Sequence, residues 1–175
     1  MMMAGMTTST KSVRFVELTG TAMRALLADD LAAARAETGY ELGDAFLTDQ
    51  AKWLWRYRLN QLAADPSTFG WLVKLVLAEP GVVGYAGFHG PPDEAGMVEV
   101  GYTVDPQYRR QGYARAIVTA LLELAAAKPG VRTVRASISP TNAASLATIA
   151  GFGFLEAGEQ WDEEDGLELL FERPV

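Results

Sequence analysis

The run Arg109-Arg110-Gln111-Gly112-Tyr113-Ala114-Arg115 has the residue types and spacing to hold an anion. It follows a strand-like stretch and leads straight into a helix-like one. Such a junction points several unpaired backbone N–H groups and the positive end of a helix at one place, and phosphate oxygens are the natural guest. Gly112 and Ala114 lack bulk at alternate positions, so a pyrophosphate could approach the backbone, while Arg109, Arg110 and Arg115 add positive charge. On spacing alone, an ordinary strand-to-helix turn with solvated arginines explains the loop equally well. Neither the GxGxxG run of dinucleotide-binding folds nor a P-loop run occurs.

Proton chemistry has fewer candidates. In Met97–Val104 the alternation puts Val98, Val100, Tyr102 and Val104 on one face and Glu99, Gly101 and Thr103 on the other. Glu99 is thus a carboxylate placed to act as a general base, or a structural strand glutamate. His89, the only histidine, could bind substrate or shuttle protons, although a satisfied structural histidine is the commoner case. Ser145 carries a hydroxyl that could donate a hydrogen bond or simply cap or decorate a helix. Trp53, Trp55, Tyr57 and Trp71 could line an acceptor pocket, but aromatics at helical or strand spacing usually build core. The acidic turn Asp162–Asp165 could attract a cation, although most such turns are solvated.

The elements that must position these residues follow from pattern. Ser12–Leu18 reads as a half-buried strand, Ala22–Glu37 as one helix or two abutting ones closed by Gly39, and Gln50–Ala64 as a helix stopped by Asp65-Pro66. Trp71–Ala78 and Val82–His89 read as a hairpin about Glu79-Pro80-Gly81. After the strand Met97–Val104, a helix opens at Gly112 and runs to about Lys128. Val131–Ser139 is a strand, and Asn142–Ala150 a short helix capped by Thr141 or Asn142. Phe154–Trp161 and Leu167–Glu172 form a closing hairpin. This order fits a mixed α/β sheet with helices on both faces.

Composition narrows the function classes. At 175 residues the chain fits one ordinary domain, 1–175, with residues 1–10 expected to be flexible. The start lacks a signal-peptide pattern and no apolar run is long enough to span a bilayer, so a cytoplasmic protein without membrane contact is expected. A net charge of −7 opposes broad nucleic-acid binding and suits a cationic partner. With no cysteine, a disulfide, a cysteine nucleophile and a thiolate metal site are all excluded, and no metal is expected.

Two segments together carry a family resemblance. Val104 to Ala114 resembles the cofactor motif of the GNAT superfamily of N-acetyltransferases: Arg or Gln, two residues, Gly, one residue, then Gly or Ala, after a strand. Arg109, Gly112 and Ala114 fill those positions. Asn142-Ala-Ala-Ser145 and Gly153-Phe154 are similar to the family's later segment, and Glu99-Val-Gly-Tyr102 adds likeness to the branch that modifies ribosomal-protein N-termini.

The resemblance implies a mixed, mostly antiparallel twisted sheet of about six to seven strands. It implies acetyl-CoA as co-substrate, its diphosphate resting on backbone N–H groups from Arg110 to Arg115 with Gln111, Gly112, Tyr113 and Ala114 in the loop. The pantetheine arm would lie along Tyr102, Thr103 and Val104 and meet Asn142. Acetyl would then pass directly to a primary amine of a small molecule or a protein N-terminus in a ternary complex, with Glu99 as base. Many relatives place a tyrosine acid seven residues after the asparagine. Ile149 occupies that position here, leaving Ser145 as substitute, with Tyr102 and Tyr113 as others. Transfer of another acyl group, or a non-catalytic acyl-CoA-binding module, are the alternatives. Exposed sheet edges leave monomer and homodimer both open.

Overall fold

The computed structural model describes residues 10–175. The expectation of a flexible start otherwise concerns residues 1–9, outside the described residues. In chain order the elements are β1 (Arg14–Glu17), α1 (Gly20–Leu27), α2 (Leu31–Thr38), α3 (Asp49–Ala64), β2 (Lys74–Ala78), β3 (Gly81–Phe88), β4 (Met97–Val104), α4 (Tyr113–Ala127), β5 (Thr133–Ile138), α5 (Ala143–Ile149), β6 (Leu155–Asp162) and β7 (Gly166–Pro174). The seven strands form one sheet in the order β1-β2-β3-β4-β5-β7-β6. Only β4 and β5 run parallel, and the other neighbours are antiparallel. The mixed, mostly antiparallel architecture is the one expected.

Local chemistry sets the helix bounds. Thr19, Asp30 and Thr48 each accept a hydrogen bond from a first-turn N–H, those of Ala22, Ala33 and Ala51. The stretch expected as one helix or two is two, because Asp29 turns left-handed (φ 58°) and Asp30 caps a fresh start. The strand expected from Trp71 begins only at Lys74. Asp65 accepts from Ser67 N, Pro66 fixes the first position of a 3-10 turn, and that turn carries the chain through Trp71. The strand expected from Val131 likewise starts at Thr133.

Alternation along β2 divides the core between the two faces of the sheet. Leu75 and Leu77 pack with Met23, Leu26 and Trp55 under α1–α3, whereas Val76 packs with Val83, Ala86 and α4's Ile117 and Leu121. Trp55 is fully buried, its indole N–H donating to the Phe46 carbonyl at 2.8 Å, and it meets Tyr85 edge-on. Aromatic core was therefore right for Trp55, and Trp71 packs edge-on against buried Phe88. It was wrong for Trp53 and Tyr57. These two are 40% and 47% exposed and stack on each other, so their burden is surface and not core.

Candidate functional site

The site begins where two strands part. β4 and β5 pair only through Met97↔Thr133, Val98↔Val134 and Glu99↔Arg135. From Val100 to Val104, β4 keeps β3 on one edge and has lost its neighbour on the other. The backbone N–H and C=O groups on that open edge are available to a ligand. A cavity of about 990 Å³ occupies this region. Its walls include Val100 to Thr103 of β4, Ala136 to Ser139 of β5 and its end, and Asn142, Ser145 and Ile149 of α5. Trp53, Tyr57 and Arg58 of α3 line it too, as do His89, Glu99, Glu168 and the turn Asp162–Asp165.

The cavity thus gathers Glu99, Tyr102, Thr103, Asn142, Ser145 and His89, all singled out in the sequence. Val104 and the Arg109–Arg115 loop do not line it, although the loop continues β4. Gly112 caps α4 with a left-handed backbone (φ 90°) and no side-chain hydrogen bond, and Arg110 is also left-handed (φ 59°). Alternating handedness of this kind turns successive N–H groups inward, and the first-turn N–H groups of a 15-residue helix stand without a side-chain cap. A diphosphate fits that chemistry.

The loop's side chains hold it in shape. Arg109 Nε donates to the Val104 carbonyl at 3.1 Å, and Gln111 Nε2 to the Gln107 carbonyl at 3.0 Å. Arg115 Nη1 reaches the Thr148 carbonyl on α5, and its guanidinium lies 4.8 Å over the Phe152 ring. Tyr113 is buried, edge-on to Tyr108, and Ala114 is half-buried. Asn142 Oδ1 accepts from Ser145 N at 3.1 Å and so caps α5. Its amide nitrogen is left for another partner.

Glu99 sits against His89, its Oε1 3.5 Å from Nδ1. The His89 backbone is tied on both sides. Its N–H donates to the Glu99 carbonyl at 2.8 Å, and its carbonyl accepts from Arg58 Nη1 at 3.2 Å and Gln61 Nε2 at 2.8 Å. Burial pushes the His89 pKa below its ordinary value, with Glu99 working against the shift and Arg58 adding to it. Burial likewise lowers the Arg58 pKa, opposed by Tyr57 and Glu99. Glu168 is raised by burial first, then by the charges of Asp162, Glu99 and Asp165, while a hydrogen bond from Gln160 pulls it down.

Among the described residues, the buried side-chain polar atoms without a partner are Arg58 Nε, Tyr102 Oη and Ser137 Oγ. All three residues line this one cavity. Orphaned polar groups are costly and cluster where a ligand completes them. Arg58 and Ser137 were missed by sequence reasoning. For Arg58 the sequence held one signal, its place between Leu54 and Leu62 in an apolar row four residues apart; the structure buries it to 6% exposure. Ser137 had none.

Charge is distributed unevenly around the cavity. The stretch 155–172 holds Glu156, Glu159, Asp162, Glu163, Glu164, Asp165, Glu168 and Glu172 with no lysine or arginine, a charge of −8. Arg173 near the end of β7 brings the whole β6–β7 hairpin to −7, which equals the chain's net charge, so the rest of the protein sums to zero and the tip of the acidic hairpin borders the cavity.

Comparison with known proteins agrees with this geometry. The family model described as Acetyltransferase (GNAT) domain matches residues 19–155, and the chain belongs to that family. An uncharacterized N-acetyltransferase of Bacillus subtilis, YjdG, is 34% identical over 74 residues, which is 42% of this chain and 44% of that relative. The match thus spans under half of the relative's length. The fold matches Mycobacterium smegmatis RimJ in complex with CoA-disulfide, with a TM-score of 0.65 at 18% identity over 93% of this chain and 82% of that one. It also matches the ribosomal-protein-S5-alanine acetyltransferase of Vibrio fischeri, with a TM-score of 0.60 at 17% identity over 93% and 91%. A spermidine N-acetyltransferase chimera from Vibrio cholerae gives 0.63 at 14% over 93% and 95%. Among the described residues no helix is long and apolar enough to cross a membrane, and no group of three or more His, Asp or Glu could hold a metal.

Proposed function

We propose that this protein is a cytoplasmic, acetyl-CoA-dependent N-acetyltransferase that transfers acetyl directly to a primary amine in a ternary complex. The observation that carries the reading is the parting of β4 from β5 after Glu99↔Arg135, which opens a strand edge leading straight to the uncapped N-terminus of α4. The diphosphate is received by N–H groups from Arg110 to Arg115, and the pantetheine arm lies along Tyr102 to Val104 with Asn142 across from it. The bound thioester supplies an electrophilic carbonyl.

The acceptor is a primary amine of a small molecule or a protein N-terminus. Such amines are protonated in neutral solution, and the acidic hairpin beside the cavity favours their entry. Glu99 and His89, 3.5 Å apart on the cavity wall, form the pair that handles the proton the ammonium must lose. Ser145 stands near the departing sulfur in the place left by Ile149, which is buried and has no proton to give.

A thermal shift with acetyl-CoA, followed by release of free thiol across an amine panel, tests the reading. A raised midpoint and turnover with at least one amine support it, and no shift removes it. The aliphatic Ile149 on the cavity wall favours a second reading, an acyl-CoA-holding module. Binding without turnover across the whole panel would select that one, and preferential binding of longer acyl forms would change the donor.

A further inference from the structure

We propose that His89, held beside Glu99, is the group that takes the proton from the acceptor ammonium, and that Glu99 is its positioning partner. The inference rests on the acetyl-transfer reading and names which member of the pair touches the amine. His89 follows β3 directly and leads into Gly90-Pro91-Pro92, where a side chain has no strand to hold it. Here three backbone hydrogen bonds hold it, two of them from the α3 side chains Arg58 and Gln61. Arg58 and Gln61 are themselves joined at 2.6 Å. This is a large local investment in one residue's position.

The ring stands against β4 at Gly101. A Cβ built on Gly101 would stand 3.0 Å from His89 Nε2, so glycine at 101 makes the room the imidazole occupies. Nδ1 faces Glu99 at 3.5 Å, leaving Nε2 over the strand segment whose other edge is open. The carboxylate is the more enclosed of the two, with a side chain 20% exposed against 47% for the imidazole. Both side chains line the cavity, and the imidazole offers it the larger accessible surface.

Chemistry favours the same order. The reference pKa of a glutamate is about 4.3 and that of histidine about 6.5, against about 8 to 10 for the amines concerned, so the imidazole is the better matched acceptor. Burial lowers its pKa, and of the charged groups that face it Glu99 from β4 opposes that shift while Arg58 from α3 adds to it. In the step, Nε2 takes one proton from R–NH3+, and the freed amine nitrogen bonds to the thioester carbonyl carbon. The C–S bond then breaks, and the second amine proton leaves with the sulfur to give the thiol. His89 returns its proton to water.

Three variants, read by turnover, acetyl-CoA thermal shift and NMR titration, test this. His89→Gln should lose about a hundredfold in kcat at pH 7 while keeping its acetyl-CoA thermal shift, and the loss should shrink as pH approaches the pKa of the amine. Added imidazole should restore turnover in His89→Gly. Glu99→Gln should lose less, and its acid limb should move to lower pH, because the carboxylate favours the protonated ring. An NMR titration of the imidazole reads the same pairing without turnover and should move in the same direction in Glu99→Gln. A His89→Gln enzyme of normal rate overturns the proposal, as does an inactive Glu99→Gln beside an active His89→Gln, or an imidazole titration unmoved by Glu99→Gln. Failure of the unaltered protein to bind acetyl-CoA or turn over any amine strikes the acetyl-transfer reading instead.

Discussion

Glu99 and Arg135 are the last residues at which β4 and β5 run side by side, and the carboxylate therefore stands at the fork of the sheet. Two residues further along β4, Gly101 lies under His89. Gly101→Ala would put its Cβ 3.0 Å from Nε2 and push the ring away. We expect kcat to fall about tenfold, as one step of misplaced proton transfer would cost, with the acetyl-CoA thermal shift unchanged. An equal loss of that shift would mean the strand itself had moved.

Gly112→Ala tests the loop. Among the described residues, a Cβ there meets only Lys11 Cγ at 3.5 Å, so the penalty comes from the left-handed backbone and not from crowding. About 1–2 kcal/mol of strain is expected, seen as a lower melting midpoint. The KM for acetyl-CoA should rise, and the KM for the amine should stay put.

The acidic tip can be neutralised without dismantling it. Asp162 Oδ1 accepts from the N–H groups of Glu164 and Asp165 and must stay, so the triple variant is Glu163→Gln, Glu164→Gln, Asp165→Asn. Initial rates should show a higher KM for a cationic amine and a flatter dependence on salt, the mark of lost attraction between charges. An unchanged salt dependence would leave the tip no part in acceptor capture.

Acid should loosen that same turn. Those two N–H donors, Asp165's the larger contribution, hold the Asp162 carboxyl below its ordinary pKa. A depressed carboxylate pKa lends stability above the unfolded-state value, and that stability is lost as pH falls through the folded-state value. Hydrogen exchange at Glu164 and Asp165 should therefore show protection near neutrality that disappears below the usual aspartate range.

Trp55→Ala tests the core. Its indole is fully buried with its N–H on the Phe46 carbonyl. Urea unfolding should show a loss of about 3–5 kcal/mol.

The physics of legibility explains which features the sequence revealed. The two faces of β4, the helix start at Gly112 and the cap at Asn142 depend on neighbours a few residues away, and each was readable. Trp53 and Tyr57 sit on a helix that packs its other face, and nothing local shows that a cavity and not a core lies beyond them. Arg58 is buried because His89, far along the chain, offers it a carbonyl. The parting of β4 from β5 is likewise a matter of long-range pairing, which alternation within one strand does not encode. The positions of the loop before α4 and of the asparagine that caps α5 were therefore readable from sequence, while the imidazole's setting required the assembled sheet.

The sheet order also imposes a timetable. β7 lies between β5 and β6, although β6 is made before it. While β6 emerges from the ribosome its partner does not yet exist, and β5 still shows a bare edge. Everything up to β4 can settle as it is translated, since β1 to β4 pair in the order they are made. The cavity wall built on β5, β6 and β7 can close only after the chain has passed Pro174. A nascent chain stalled short of β7 would hold half a sheet and an unmade cavity.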